Sequence, residues 1–220
     1  CQKEERERQE QRMKEEEQLL YVRRLKATGI QERHLQDWTF ASATDTPSVQ
    51  MAKRYAENWK KVKAENLGLL LWGDVGTGKS FLAACIANAL LEKGVPVLMT
   101  NFSKILNQMG AMYSDERYRY IASFNRFSLL IIDDLGIERN TEYALEQVYA
   151  VVDERYKAGL PLIITTNLTI SQLRNPEDVA HARIYSRILE MCTPVHVPGL
   201  DRRTAIGKSK QELVKEVLFS

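Results

Sequence analysis

Cysteine is scarce in this chain and poorly placed for crosslinking. Cys1, Cys85 and Cys192 are an odd number set far apart, with no C-x-x-C pair. That pattern excludes a secreted disulfide scaffold and a complete zinc site within these residues. No apolar run reaches the roughly 18 residues of a membrane span, and the N-terminus is charged. The expectation is therefore no membrane span, no signal peptide and a reducing, cytoplasmic setting. A surplus of one charge is missing as well: the formal net charge of +2 is too small to indicate a nucleic-acid partner by itself. Internal repeats and low-complexity tracts are absent too. With 220 residues the chain can bury about 70% of its unfolded surface and needs neither disulfides nor a structural metal to hold a core.

What is present changes in kind along the chain. Residues 1–27 begin with dense mixed charge from Lys3 to Glu17, followed by Leu19, Leu20, Tyr21, Val22 and Leu25. Without Gly or Pro before Gly29, this predicts an exposed helix supported by i,i+4 charge pairs, a solvated linker rather than a coiled coil. Residues 28–45 form an irregular connector marked by Gly29, Ile30, Trp38 and Phe40. From residue 46 to 220 strands and helices alternate. Ser48 is the expected cap of a helix carrying Ala52, Tyr55, Ala56, Trp59 and Val62 on one face. Strands are expected at 67–72, 95–100, 129–132, 162–166 and 195–197. Helices are expected at 79–93, 102–112, 142–157 and 176–191, with another helical stretch before residue 129. That alternation predicts an α/β domain with a parallel sheet covered on both faces.

The chemistry concentrates in Gly73-Asp74-Val75-Gly76-Thr77-Gly78-Lys79-Ser80, which fits G-x-x-x-x-G-K-[ST] completely. An apolar strand precedes it and an apolar-faced helix opening at Phe81 follows. Glycines let the backbone wrap a polyphosphate with its N–H groups inward, at the positive end of a helix. Lys79 is placed to reach the β- and γ-phosphates and Ser80 to ligate Mg²⁺. The buried run Leu129–Ile132 ends in Asp133 and Asp134, where an acid pair can hold Mg²⁺ (Asp133) and activate water (Asp134). Asn167, at the tip of the 162–166 strand, either bridges γ-phosphate and water or caps a turn. Arg183 and Arg187 lie four apart on one helix face and suit either phosphoryl-charge stabilisation or surface pairs with Glu190 or Asp178. Lys104, Arg117, Tyr118, Arg119, Tyr120, Arg126 and Phe127 interleave cations with aromatics, which suits single-stranded nucleic acid or a solvated helix face. No N-K-x-D guanine-reading motif and no arginine-rich lid occur, which disfavours a GTPase and a small-molecule kinase.

The ordered segments GDVGTGKS, LLIIDDLG, DERYKAGLPLIITTNL, RIYSRILEMC and GLDRR resemble those of DnaC/DnaI-type helicase loaders and IstB-type transposition helpers, AAA+ ATPases of the initiator clade. The resemblance covers about residues 28–210. It implies an AAA+ P-loop NTPase with a five-stranded parallel sheet in the order 5-1-4-3-2. It assigns ATP/ADP to residues 73–81 (Gly73 through Phe81), and Mg²⁺ to Ser80 and Asp133. It makes Asp133 and Asp134 the Walker B pair, Asn167 sensor 1, and Arg187 an arginine finger acting on a neighbouring subunit. Arg183 is a second arginine of that box, and Arg203 is the sensor 2 arginine. Residues 28–45 correspond to a linker near the adenine. Residues 1–27 become the remnant of an N-terminal helicase-binding module, with Cys1 the last ligand of its zinc site. The implied partners are a hexameric replicative helicase, single-stranded DNA near the segment 101–127, and further copies of the chain through the arginine-finger interface. Asp134 is one methylene shorter than the usual Glu, which predicts a slow, assembly-stimulated ATPase switch, the alternative being an adaptor that binds ATP without hydrolysing it.

Overall fold

The computed structural model describes residues 2–136, 141–201, 214, 217 and 218. Its strands are β1 (Gly68–Trp72), β2 (Val97–Asn101), β3 (Leu129–Leu135), β4 (Leu162–Thr166) and β5 (Cys192–His196). They form one sheet in the order β2-β3-β4-β1-β5, and every pairing is parallel. This is the 5-1-4-3-2 order that the resemblance implies. The inner strands β3, β4 and β1 are apolar over most of their length because helices cover both faces, whereas the edge strand β5 is half exposed. Pleating splits their side chains between two cores: Leu69, Leu71, Ile131 and Ile163 face one layer, and Leu70, Leu130, Ile132 and Ile164 the other.

The first layer is built on α5 (Lys79–Glu92), which is buried nearly all round. A helix sequestered on all sides must be apolar on all sides, and Leu82, Ala83, Ala84, Cys85, Ile86, Ala87 and Leu90 meet that condition. It is sandwiched between the sheet and α1 (Gln2–Gly29), α2 (Arg33–Gln36) and α3 (Pro47–Glu57), the last followed by α4 (Trp59–Ala64). The second layer holds α6 (Phe102–Met109), α7 (Ser114–Ser123), α8 (Glu142–Ala158), α9 (Ile170–Arg174) and α10 (Val179–Met191).

Several boundaries differ from expectation for local reasons. The cap of α3 is Thr46 rather than Ser48. Pro47 takes the first helical position, and the Thr46 hydroxyl accepts from Val49 N–H at 3.3 Å. The helix expected over 102–112 stops at Met109, with Gly110 as its C-cap. Asp178 caps α10 by accepting from His181 N–H at 2.9 Å, so that helix begins later than Pro176. The charged N-terminal helix runs through residue 28 to Gly29, and Ile30 then bridges Met99 of β2. No helix among the described residues is long and apolar enough to cross a membrane.

Candidate nucleotide site

Parallel strands bring all their C-terminal ends to one edge of the sheet, and the loop after β1 sits there. Gly73, Gly76 and Gly78 have φ of +147°, +79° and +100°, a region that favours glycine. The Lys79 side chain turns back into this loop, donating to the carbonyls of Gly73 at 2.8 Å and Asp74 at 2.6 Å. Only 5% of Lys79 is exposed, so its ammonium is held inside the loop. Thr77 tightens the turn by donating to the Asp74 carbonyl at 3.0 Å. Ser80, in the first turn of α5, faces the Asp133 carboxylate near the end of β3 and favours its charged form. That juxtaposition fits Mg²⁺, which takes one or two protein oxygens and fills the rest of its shell with water and phosphate.

The acid pair is not a regular strand end. The β3–β4 register shifts between Ile132 and Leu135, and Asp134 has φ +57°, a left-handed conformation that Asp tolerates better than most side chains. Thr165 of β4 fixes both acids. Its hydroxyl donates to Asp133 Oδ1 at 2.6 Å and accepts from Asp134 N–H at 2.9 Å. Burial pushes the Asp133 carboxyl above the usual carboxylate range, hydrogen bonds from Thr165 and Ser80 oppose this, and the neighbouring Asp134 and Glu32 charges add to it. Asn167 lies directly past β4, the strand between β1 and β3, with an exposed side chain.

Beside the loop is a pocket of about 230 Å³ lined by Thr46, Pro47, Val49, Gly78, Phe81 and Val197, among others. It is mainly apolar and adjoins the phosphate loop, a suitable shape for a nucleobase. Trp38 stands behind it, its ring 5.7 Å from that of Phe81. Gly29 and Ile30 lie elsewhere, against β2 at the far edge of the sheet, so of the connector only the Trp38 end approaches this pocket. The segment after β5 folds over the loop as well. Val197 donates to the Trp72 carbonyl at 2.8 Å, and a Cβ on Gly76 would overlap the Asp201 carboxylate. Arg203 and Cys1 lie outside the described residues.

Arg187 is on α10, in the opposite layer from α5. Its expected surface partners do not engage it: Asp178 binds His181, and Glu190 accepts from Tyr156. Arg187 Nη2 instead donates to Tyr149 Oη at 2.9 Å and lies 2.8 Å from Asp153 Oδ1. Asp178 caps the start of α10, about two and a half turns before Arg187, whereas α8 runs alongside α10 and presents Asp153 directly.

The profile of the IstB-like ATP binding proteins matches residues 2–208. The chain belongs to this family. It is 29% identical over 147 residues to the replicative helicase loader DnaI of Bacillus subtilis (strain 168), covering 62% of this chain and 47% of that protein. A putative ATP-binding protein in an insertion sequence of Mycobacterium tuberculosis (strain ATCC 25618 / H37Rv) is 24% identical over 133 residues, covering 60% of this chain and 52% of the relative. The chain thus spans about half the length of these two relatives. Its fold matches the crystal structure of DnaI with a TM-score of 0.63 at 26% identity, over 78% of this chain and 94% of that one. The fold of this IstB-like chain is therefore the AAA+ P-loop fold.

Three features of the site escape a reading by motif. Thr165 is one of two threonines that end an apolar strand, but its bond to Asp133 of β3 spans 32 residues. Tyr149, Asp153 and Tyr156 are spaced i, i+4, i+7, the signature of one helix face. Asp201 belongs to the GLDRR segment, but its place against Gly76 depends on where β5 lies.

Proposed function

We propose that this chain is the ATPase unit of a helicase loader: it binds ATP with Mg²⁺ and single-stranded DNA, and loads or remodels a replicative helicase. The observation that carries the nucleotide reading is the convergence of the Lys79 loop, Ser80, Asp133 and Thr165 at one sheet edge. Family membership and the likeness to a helicase loader support the rest.

In this reading the loop N–H groups and Lys79 bind the β- and γ-phosphates, and the base enters the pocket beside Phe81. Ser80 and Asp133 would hold Mg²⁺, which would neutralise charge on the phosphate oxygens. Asp134 accepts the proton of the attacking water and Asn167 orients that water against the γ-phosphate. Arg187 of an adjacent copy stabilises the charge that develops on transfer. ATP binding thus sets the assembled state and hydrolysis releases it. Arg203, as sensor 2, completes the site in the same reading, and Arg183 backs Arg187.

DNA contact is assigned to the segment between β2 and β3. Tyr113 and Tyr118 are 82% and 70% exposed, a poor arrangement for a core face and a good one for base stacking. Arg117 lies over the Tyr143 ring at 5.6 Å and donates to its hydroxyl at 3.0 Å. Replacing Arg187 with Ala should leave ATP binding within a few-fold of wild type and abolish hydrolysis stimulated by single-stranded DNA. Normal stimulated turnover in that variant would overturn the assignment of the finger.

A transposition helper is the second reading, favoured by the family and by the insertion-sequence relative. Affinity purification of the full-length protein in ATP, followed by identification of the co-eluting protein, separates the two: a hexameric helicase supports the loader, a transposase the alternative.

A further inference from the structure

Arg187 does not stand alone on α10. We propose that Tyr149, Asp153 and Tyr156 of α8 form a guanidinium cradle that positions Arg187 for hydrolysis at the neighbouring subunit's site. The proposal rests on the reading of Arg187 as a residue acting in trans.

The cradle brings two aromatic rings, a phenol oxygen and a carboxylate to the guanidinium. Its carbon lies 5.3 Å from the Tyr149 ring centroid and 4.8 Å from that of Tyr156, both within cation–π range. At the edge, Nη2 meets Tyr149 Oη and Asp153 Oδ1. Asp153 and Tyr156 are themselves held. Lys157 lies 2.7 Å from Asp153 Oδ2, and Tyr156 Oη donates to Glu190 Oε1 at 2.8 Å. The arginine bonds pull the Tyr149 hydroxyl below the usual phenol range, as expected for an oxygen facing cations.

A purely structural ion pair does not account for this arrangement. Arg183 lies 4.5 Å from the same Tyr149 ring, so two guanidinium groups crowd one aromatic. Three cations, Arg183, Arg187 and Lys157, face two carboxylates, Asp153 and Glu190, which leaves a surplus of one positive charge. The cluster opens onto a solvent cleft lined by Tyr149, Ala182, Arg183, Ser186, Arg187 and Glu190, the Glu190 carboxylate being engaged by Tyr156. Like charges gathered at an open surface raise the free energy of the isolated chain and favour an arriving polyanion, and a nucleotide held by the next copy has that chemistry. Locking the side chain in advance also matters for rate, since a misplacement of roughly 1 Å costs on the order of 100-fold.

The test uses the full chain, ATP and a single-stranded oligonucleotide. Tyr149→Ala and Asp153→Asn should lower the stimulated kcat by about 10- to 100-fold while KM for ATP changes little. Combined with Arg187→Gly, neither should reduce the rate further. Millimolar guanidinium should partly restore the Arg187→Gly rate, and should fail to do so in Arg187→Gly/Tyr149→Ala. Tyr149→Phe keeps the ring and should retain most activity, which separates cradle loss from misfolding. Full kcat in Tyr149→Ala and Asp153→Asn, beside an inactive Arg187→Gly, would overturn the cradle alone. Guanidinium rescue that is indifferent to Tyr149 would do the same. Normal turnover by Arg187→Gly would instead overturn the reading beneath it.

Discussion

Thr165 commits one hydroxyl to two acids: it donates to Asp133 and accepts from the Asp134 amide. Both bonds cross from β4 to β3 where the ladder is already broken, so this hydroxyl holds the bulge in shape. Thr165→Val keeps volume and branching and removes the bridge. The expected result is ATP affinity within a few-fold of wild type and kcat reduced about 10- to 100-fold, with Thr165→Ser close to wild type. Steady-state hydrolysis beside equilibrium nucleotide binding checks it, and loss of binding in Thr165→Val would show a role in the loop instead. Asp201 is the second residue whose place matters. Its carboxylate lies against Gly76, inside a loop whose N–H groups favour anions. Negative charge there opposes incoming phosphate, so Asp201→Asn should tighten ADP binding several-fold at low salt, with the gain shrinking as salt rises. Titration at two ionic strengths reads this directly, and unchanged affinity at both would remove Asp201 from the site.

Helix α8 links parts of the molecule that the chain keeps far apart. On one face Arg155, 1% exposed, donates to the carbonyls of Pro161, Phe127 and Ser128 at 2.8, 2.9 and 3.0 Å. It thereby ties α8 to the turn entering β3 and to the start of β4. Burial lowers its pKa to about 10, which still leaves it charged at neutral pH. Arg155→Met removes donors from several buried carbonyls, and a loss on the order of 3–5 kcal/mol follows. Thermal unfolding should show a midpoint lowered by roughly 10 °C or more. A shift of only a degree or two would mean that water replaces the guanidinium. None of this could be read from Arg155 in isolation. The phosphate loop was legible because its eight residues are contiguous and every one sits where the loop needs it. The acid pair was legible because it ends an apolar run. By contrast, the Thr165 bridge, the Arg187 cradle and the Arg155 anchor each join segments separated by the sheet's crossovers. Thr46 displaced Ser48 as a cap for a smaller reason: Pro47 fixes where the helix begins.

Across the whole molecule, the two halves of the proposed reaction centre occupy different layers. Lys79 and Ser80 belong to α5 on one face of the sheet, whereas Arg187 belongs to α10 on the other and is engaged there by α8. A chain that carries its phosphate loop and the proposed finger on separate faces fits a head-to-tail assembly, in which each copy gives one surface and receives the other. Complementation tests this arrangement. A Lys79→Ala chain cannot bind nucleotide productively but still offers Arg187. An Arg187→Ala chain binds nucleotide but offers no finger. Each alone should be inactive in stimulated hydrolysis. Mixed in equal amounts and assembled at random, roughly a quarter of the interfaces place an intact nucleotide site against an intact finger, so roughly a quarter of the wild-type rate should return. Recovery should vanish on dilution below the assembly concentration and should not appear when the second chain is the double variant Lys79→Ala/Arg187→Ala. Activity in the Arg187→Ala chain alone, or no recovery in a mixture that co-assembles, would show that hydrolysis is completed within one copy.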